Sequence, residues 1–122
     1  MSLKVLVVDD SGVMRKIIIR SLNAVGVTDV LEAGDGVEAL ERFQQHKFNI
    51  VLTDWNMPVK SGLELTRDIR VLGSTVPIMM ITTEAERTRV LEAIQAGVND
   101  YLTKPFEADT LREKLDKYCG AC

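Results

Sequence analysis

The residues of this chain that could do chemistry stand at the ends of its strand-like segments. Asp9 and Asp10 follow the apolar run KVLVV, and Asp54 follows NIVLT. Thr82 ends the run IMMIT, and Lys104 comes directly after a fifth short strand. The carboxyl ends of parallel strands meet at one edge of a sheet, where such sheets place their functional groups. The sequence therefore predicts three carboxylates, a hydroxyl and an ammonium at a single edge.

This combination of side chains favours phosphoryl transfer. Three neighbouring carboxylates repel one another, and burying them without a counter-charge is costly. A hard divalent cation such as Mg²⁺ takes oxygen ligands and relieves that repulsion, while Lys104 adds a second positive charge. Phosphoryl transfer depends mostly on positioning and charge stabilisation, and a carboxylate can be the nucleophile. Asp54 is the best candidate for phosphoacceptor because it lies centrally among these groups.

Each of these residues also has an ordinary structural role that would explain it alone. Asp9 or Asp10 could cap the first helix, and Asp54 could begin a turn. Thr82 could be a simple strand residue, and Lys104 could be solvated at the surface. Chemistry is the better interpretation because all five residues are expected at the same edge of one sheet.

Short apolar segments alternate with amphipathic ones along the chain and position these groups. The predicted strands are residues 4–8, 29–33, 49–53, 78–82 and 99–103. The predicted helices are residues 13–25, 37–45, 62–72, 87–96 and 107–118, the third capped by Ser61. Near-continuous apolar strands indicate a parallel sheet with helices on both faces, which right-handed crossovers make an open, doubly wound α/β fold. Without an internal repeat or linker, residues 1–122 are expected to form one domain.

Composition limits the classes of partner. The chain is 46% hydrophobic and 27% charged, which is typical of a globular protein. Its formal net charge of −3 argues against nucleic acid, whose phosphates require a basic surface. The apolar runs are strand-sized and no secretory signal is recognisable, so we expect no membrane insertion and a cytoplasmic location.

Two cysteines, Cys119 and Cys122, form a C-x-x-C pair near the end of the sequence. A redox pair of the thioredoxin type would open a helix after a strand, whereas this pair follows a helix. A metal site would need two further soft ligands, and the only histidine, His46, lies far away in the sequence. We therefore expect two thiols without a shared function.

With these segments in place, the chain resembles the receiver domains of two-component response regulators over essentially its whole length. The matching segments are VVDDS (7–11), DWNMP (54–58), SGLEL (61–65), ITTEA (81–85) and AGVNDYLTKPF (96–106). Trp55, Asn56, Glu84 and Tyr101 make it most similar to the stand-alone chemotaxis regulators. The resemblance implies a flavodoxin-like (βα)5 fold with strand order 2-1-3-4-5, and a monomer.

The same resemblance implies a metal site and a phosphoacceptor. Asp54 would accept the phosphoryl group. The Asp10 and Asp54 carboxylates and the Asn56 backbone carbonyl would bind Mg²⁺, with Asp9 acting through bound water. Ser61 departs from the family, which commonly has an acidic residue there, and we expect this to affect the helix cap more than the chemistry.

Further roles implied by the resemblance concern the response to phosphorylation. Thr82 would hydrogen-bond the phosphoryl group, Lys104 would pair with it, and Tyr101 would be an aromatic switch that turns inward. Asn56 and Glu84 flank the site two residues beyond Asp54 and Thr82, and such positions tune the loss of the phosphoryl group to water. Polar side chains there predict a short-lived phosphorylated state.

The partners implied are those of a signalling domain. A histidine kinase would donate the phosphoryl group, and a flagellar motor switch protein would read the change, with a phosphatase as a further partner. Autophosphorylation and autodephosphorylation would be the only reactions, so the chain is not expected to be an enzyme. The resemblance also implies a cis bond between Lys104 and Pro105.

Three alternatives remain open. A hydrolase of the haloacid dehalogenase type would need D-x-D after the first strand, where Asp9 and Asp10 are adjacent. A flavodoxin-type carrier would need a phosphate loop at that point, where the two acids would repel phosphate. A receiver domain with a different output, such as a phosphorelay or the control of a kinase, fits the same residues.

Overall fold

The computed structural model describes residues 3–83 and 87–119, and of residues 87 and 88 it describes the backbone alone. Five parallel strands form one sheet in the order β2-β1-β3-β4-β5, which confirms the predicted doubly wound α/β fold. The strands are β1 (Lys4–Val8), β2 (Asp29–Ala33), β3 (Ile50–Thr53), β4 (Ile78–Thr82) and β5 (Asp100–Thr103). The helices are α1 (Gly12–Ala24), α2 (Gly36–Gln45), α3 (Gly62–Val71), α4 (Arg87–Ala96) and α5 (Ala108–Cys119).

The apolar strands are covered on both faces, as their sequences indicate. Along β1, Val5 and Val7 pack towards α1 and α5, whereas Leu6 and Val8 pack towards α2, α3 and α4. Alternate side chains of a strand point to opposite faces, so one strand contributes to both halves of the core. The sheet is therefore a buried layer, with the polar groups of the predicted site at the ends of its strands.

Capping residues set the helix boundaries, which differ from the predicted ones by one residue at several ends. The Ser11 hydroxyl accepts a hydrogen bond from the Met14 amide and caps α1, so neither neighbouring aspartate is needed as the cap. Ser61 caps α3 as predicted, in a capping box in which its amide donates to the Glu64 carboxylate. The cap of α1 thus leaves both aspartates available for other contacts.

Glycines end three of the helices. Gly26, Gly73 and Gly97 follow α1, α3 and α4 with φ angles of 91°, 86° and 113°. This backbone region is unfavourable for residues with a Cβ, and it closes a helix efficiently.

None of the helices in the described part of the chain has the length and apolar run that crossing a bilayer requires. His46 caps the end of α2 and is exposed. The Cys119 thiol lies 3.8 Å from the Asn49 carbonyl oxygen, and Cys122 lies outside the described residues. The expectation that these two thiols share no function therefore stays a prediction.

Candidate functional site at the carboxyl edge of the sheet

Backbone hydrogen bonds continue past the strand ends and fix the residues of the site. The Asp9 amide donates to the Ala33 carbonyl at 3.1 Å, and the Asp54 amide donates to the Val8 carbonyl at 2.9 Å. At the ends of β4 and β5, the Lys104 amide donates to the Thr82 carbonyl at 3.0 Å. Three site residues are thus attached to the sheet rather than carried by free loops, which favours precise geometry.

Asp9 is the buried member of the acid pair. Its side-chain oxygen Oδ2 lies 2.7 Å from Lys104 Nζ, and its other oxygen, Oδ1, accepts a hydrogen bond from the Ser11 amide at 2.9 Å. Both oxygens of a residue that is only 1% exposed therefore have partners, which offsets the cost of burying them.

Asp54 shares the same ammonium group. Its Oδ2 lies 3.3 Å from Lys104 Nζ, and its Oδ1 accepts a hydrogen bond from the Trp55 amide at 2.7 Å. The Lys104 side chain is only 10% exposed, so it is not the solvated surface residue of the alternative interpretation. Lys104, which follows β5, thus forms ion pairs with the residues that follow β1 and β3.

Asp10 completes a cluster in which negative charge exceeds positive charge. Carboxylate oxygens of Asp9, Asp10 and Asp54 all lie within 4.8 Å of one another, and Asp10 is exposed. In the described part of the chain one ammonium group, Lys104 Nζ, pairs with two of these three carboxylates, so negative charge remains in excess there. Oxygen donors at this spacing, with an open side, fit Mg²⁺, which keeps several waters and binds one or two carboxylates.

A cleft of about 440 Å³ opens beside the cluster. Its lining residues are Asp10, Trp55, Asn56, Met57, Pro58 and Ser61. The predicted metal ligand Asn56 is exposed and shares this cleft with Asp10. The cleft gives a hydrated cation or a phosphoryl group access to the carboxylates from solvent.

The remaining predicted residues lie at different distances from this centre. The Thr82 side chain is fully buried at the carboxyl end of β4. Tyr101 pairs with Met80 in the sheet register and packs, half-buried, against the core on the α3 and α4 side. Glu84 lies outside the described residues.

Gly62 is a site residue that sequence reasoning missed. A Cβ at this position would lie 2.0 Å from the Asp54 carbonyl oxygen, far inside any real contact. The Gly62 amide also donates to the Trp55 carbonyl at 2.9 Å. Only glycine lets α3 begin this close to the phosphoacceptor candidate, and the signal in the sequence was the glycine directly after the Ser61 cap.

Arg15 is a second residue that the sequence did not single out. Its Nη1 donates to the Asp9 carbonyl at 2.6 Å, and its Nε lies 2.9 Å from the Glu32 carboxylate on β2. A guanidinium group thereby ties α1 to the turn that carries the acid pair. No sequence pattern marked this arginine, because both of its partners are backbone or neighbouring-strand groups.

The Lys104–Pro105 peptide bond is cis, as the resemblance implied. The Lys104 side chain itself reaches Asp9 and Asp54 across the carboxyl edge of the sheet. All the described residues predicted for the phosphoryl chemistry therefore lie at or next to one edge.

Comparison with known proteins agrees with this geometry. A family model described as the response regulator receiver domain matches residues 5–116. Chemotaxis protein CheY-3 of Vibrio cholerae is 46% identical over 118 residues, which cover 95% of this chain and 91% of that protein. Chemotaxis protein CheY1 of Helicobacter pylori is 46% identical over 121 residues, covering 97% of this chain and 98% of that protein.

Solved structures share the fold as well. Chemotaxis protein CheY4 of Vibrio cholerae superposes with a TM-score of 0.90 at 35% identity, covering 97% of this chain and 99% of that one. The receiver domain of the sensor histidine kinase PA1611 from Pseudomonas aeruginosa, solved with a magnesium ion coordinated in its active-site cleft, gives 0.89 at 32% identity and covers 99% and 100%. The chain therefore belongs to the response regulator receiver domains, a family of phosphorylation-activated signalling switches.

Proposed function

We propose that Asp54 accepts a phosphoryl group from the phosphohistidine of a histidine kinase, with Mg²⁺ bound at the acidic cluster. The single observation that carries this proposal is the set of three carboxylates with oxygens within 4.8 Å of one another, two of which share the Lys104 ammonium group. Asp9, Asp10, Asp54 and the Asn56 carbonyl would hold the ion. Bound there, Mg²⁺ would neutralise charge on the phosphoryl oxygens.

The reaction itself is a transfer between two nucleophiles. One carboxylate oxygen of Asp54 forms a bond to phosphorus while the phosphorus–nitrogen bond of the donor breaks, and the imidazole keeps the electron pair. Lys104, held 3.3 Å from Asp54 Oδ2, lies where it can pair with the incoming group. The Trp55 amide on Oδ1 limits the orientations of the nucleophile.

Three residues would convert the new charge into a structural change. Thr82 would turn its hydroxyl towards the phosphoryl group, and Lys104 would shift its ion pairs from Asp9 to that group. Tyr101 would then move inward and alter the surface of α4, β5 and α5, which biases an existing two-state equilibrium. The variant Tyr101→Ala should keep phosphorylation but weaken the output, and an undiminished output would remove Tyr101 from the mechanism.

Loss of the phosphoryl group is assigned to the polar positions beside the site. Asn56 lines the cleft that leads to the carboxylates, where its side chain can orient an attacking water. Glu84 is proposed for the same role. If the phosphoryl half-life does not lengthen in an Asn56→Ala variant, Asn56 has no part in hydrolysis.

The output partner in this proposal is a flagellar motor switch protein. Two of the relatives are named chemotaxis proteins, and α4 exposes the apolar side chains Leu91 and Ile94. Exposed apolar residues on one helix suit a partner that reads that surface. Residues 1–122 would act in the cytoplasm as one monomeric domain, with a phosphatase as a further partner.

The experiment combines phosphoryl uptake with partner binding. The protein is mixed with a phosphorylated histidine kinase domain and MgCl₂, and intact mass reports the bound phosphoryl group. The wild type and the control Asp29→Asn, which removes an exposed carboxylate from the opposite edge, should gain the group. Asp54→Asn should not, and uptake by this variant would contradict the assignment of Asp54.

Binding then separates chemotaxis from relay. A peptide from a flagellar motor switch protein is titrated with and without beryllofluoride, a phosphoryl mimic. Tighter binding with beryllofluoride supports the motor output. Unchanged peptide binding, together with phosphoryl transfer onward to a histidine phosphotransfer domain, would replace it with a phosphorelay.

A further inference from the structure

A cation–aromatic contact joins α4 to the residue next to the phosphoacceptor. The guanidinium carbon of Arg89 lies 5.1 Å from the centroid of the Trp55 ring, within the range of a favourable cation–π interaction. Trp55 is 6% exposed, and Arg89 is half-buried. One face of the indole is therefore covered by a charged side chain from a different element.

The backbone of Trp55 forms hydrogen bonds with two residues of the site, Asp54 and Gly62. Its amide donates to Asp54 Oδ1 at 2.7 Å, and its carbonyl accepts a hydrogen bond from the Gly62 amide at 2.9 Å. The direction of the Trp55 N–H vector thus helps to set the orientation of the Asp54 carboxylate. The indole ring and the amide of Trp55 are attached to the same Cα. A contact that holds the ring therefore limits the backbone motion that would turn the amide.

We propose that Arg89 is a positioning residue for phosphoryl uptake, which acts on Asp54 through Trp55. This inference rests on the proposed function of Asp54 as phosphoacceptor. Near-attack geometry is a large part of any transfer between two nucleophiles, so a looser carboxylate reacts more slowly. Arg89 need not touch the phosphoryl group for this effect.

The same contact couples α4 to the reaction in both directions. A partner that binds α4 and displaces Arg89 would change phosphoryl uptake, and a change at Asp54 would change the surface that Arg89 presents. For the equilibria this coupling is reciprocal, so a partner that binds the phosphorylated form more tightly also favours that form by the same factor. The contact therefore offers a direct route from the site to α4, separate from the one through Tyr101.

Arg89 could also influence uptake through its charge alone or through the stability of the fold alone. Each of these two effects can be told apart by a measurement. A positive charge near the cleft would attract anionic phosphodonors, which would change the apparent affinity for the donor and fade at high salt. A purely structural role would lower stability without changing the rate of uptake.

The experiment uses acetyl phosphate as donor, with MgCl₂, and compares the wild type with Arg89→Gln, Arg89→Lys and the control Arg112→Gln. Arg112 is an exposed arginine of α5, so its loss matches the change in net charge. We expect the maximal rate of uptake to fall about two- to fivefold in Arg89→Gln, the fold-change that corresponds to one cation–π contact. Arg89→Lys should recover most of the rate, and Arg112→Gln should not differ from the wild type.

Fluorescence gives a second readout, because Trp55 is the only tryptophan. Acrylamide should quench it more strongly in Arg89→Gln than in the wild type. The loss of rate should persist between about 0.05 and 0.5 M salt and leave the half-saturating donor concentration unchanged.

Three results would overturn the inference. Equal maximal rates with altered quenching would mean that Arg89 only shields the ring. A loss that disappears at high salt would mean that it only attracts the donor. Uptake by neither the wild type nor any variant would remove the proposed function as well, whereas uptake at equal rates removes this inference alone.

Discussion

The charged side chains at the carboxyl and amino edges of the sheet differ in how many partners they have. At the carboxyl edge, Lys104 is shared between Asp9 and Asp54, and among the described residues no hydrogen bond or ion pair reaches Asp10. At the amino edge, a single guanidinium group, that of Arg70, makes five hydrogen bonds. The carboxyl edge, over the described residues, therefore leaves Asp10 without a counter-charge, which a ligand can supply, whereas every N–H donor of Arg70 at the amino edge is used within the fold.

Arg70 joins four parts of the chain. It donates from α3 to the carbonyls of Ser74 and Val76 in the following loop, to the Gly97 carbonyl after α4, and to the Asn99 side chain before β5. Burial lowers the pKa of the Arg70 guanidinium, which nonetheless stays charged at any ordinary pH. Five bonds account for every N–H donor that an arginine has.

Arg70→Ala should have the largest effect on stability. The substitution leaves three backbone carbonyls without their partner and removes a charged group with saturated hydrogen bonding. We expect the free energy of unfolding to fall by about 3–5 kcal/mol. Urea denaturation followed by circular dichroism measures this value.

Arg67→Ala is the matched control for this change. Arg67 lies on the same helix and is exposed, so its loss should change the free energy of unfolding by less than about 0.5 kcal/mol. Equal losses in the two variants would show that the bonds of Arg70 contribute no more than ordinary surface contacts.

The contrast between the edges also explains what the sequence could and could not predict. Asp9, Asp54, Thr82 and Lys104 each follow or end an apolar strand, so topology alone brings them to one edge. The Ser61 cap was likewise predicted from a local rule, whereas the strand order followed from the resemblance to receiver domains.

The missed residues depend on contacts distant in sequence. Arg70 bonds to groups up to 29 positions away, and Arg89 on α4 packs on the Trp55 ring in the loop after β3. Arginines on amphipathic helices look alike in sequence whether they are solvated or bonded to carbonyls. Nothing in spacing or type separates Arg67, which is exposed, from Arg70, which holds the amino edge together.

Asp100, at the amino edge, is a carboxylate that accepts hydrogen bonds from three groups of the protein. It accepts hydrogen bonds from the Tyr101 amide at 2.7 Å, from Lys114 at 3.0 Å and from the Tyr118 hydroxyl at 2.9 Å. Burial alone would raise the pKa of Asp100, but these three donors outweigh it and lower the pKa. A lowered pKa in the folded state means that the ionised form stabilises the fold.

Asp100→Asn should therefore destabilise the protein in a pH-dependent way. Near neutral pH we expect a loss of about 1 kcal/mol, because the charge assistance of these bonds disappears. The stabilisation is present above the unfolded-state pKa of about 3.9 and is lost as the pH falls through the folded value, so the two proteins should converge in acid. Urea unfolding at pH 7 and in steps below pH 4 measures the difference.

The exposed carboxylate Asp116 on α5 provides the comparison for that series. Asp116→Asn should alter the free energy of unfolding by less than about 0.5 kcal/mol at neutral pH. A gap between Asp100→Asn and the wild type that stays constant into acid would show that the charge of Asp100 does not matter.

Asp10 should behave in the opposite way to Asp100, with the smallest effect of the three. Its charge is repelled by two neighbouring carboxylates, so Asp10→Asn should raise the free energy of unfolding by about 0.5–1 kcal/mol in buffer containing EDTA. MgCl₂ should stabilise the wild type through binding to the folded state and stabilise Asp10→Asn far less. The order of stability of the two proteins should therefore reverse as Mg²⁺ is added.

Asp29→Asn makes this test specific to the carboxyl edge. It removes the same charge from the first residue of β2, at the amino edge, and should neither gain stability in EDTA nor lose the response to Mg²⁺. If Asp29→Asn and Asp10→Asn were stabilised alike, the gain would come from the net charge of −3 rather than from the cluster. If Asp10→Asn kept the full response to Mg²⁺, the cluster would not be the ion's site, and the difference between the two edges would not extend to metal binding.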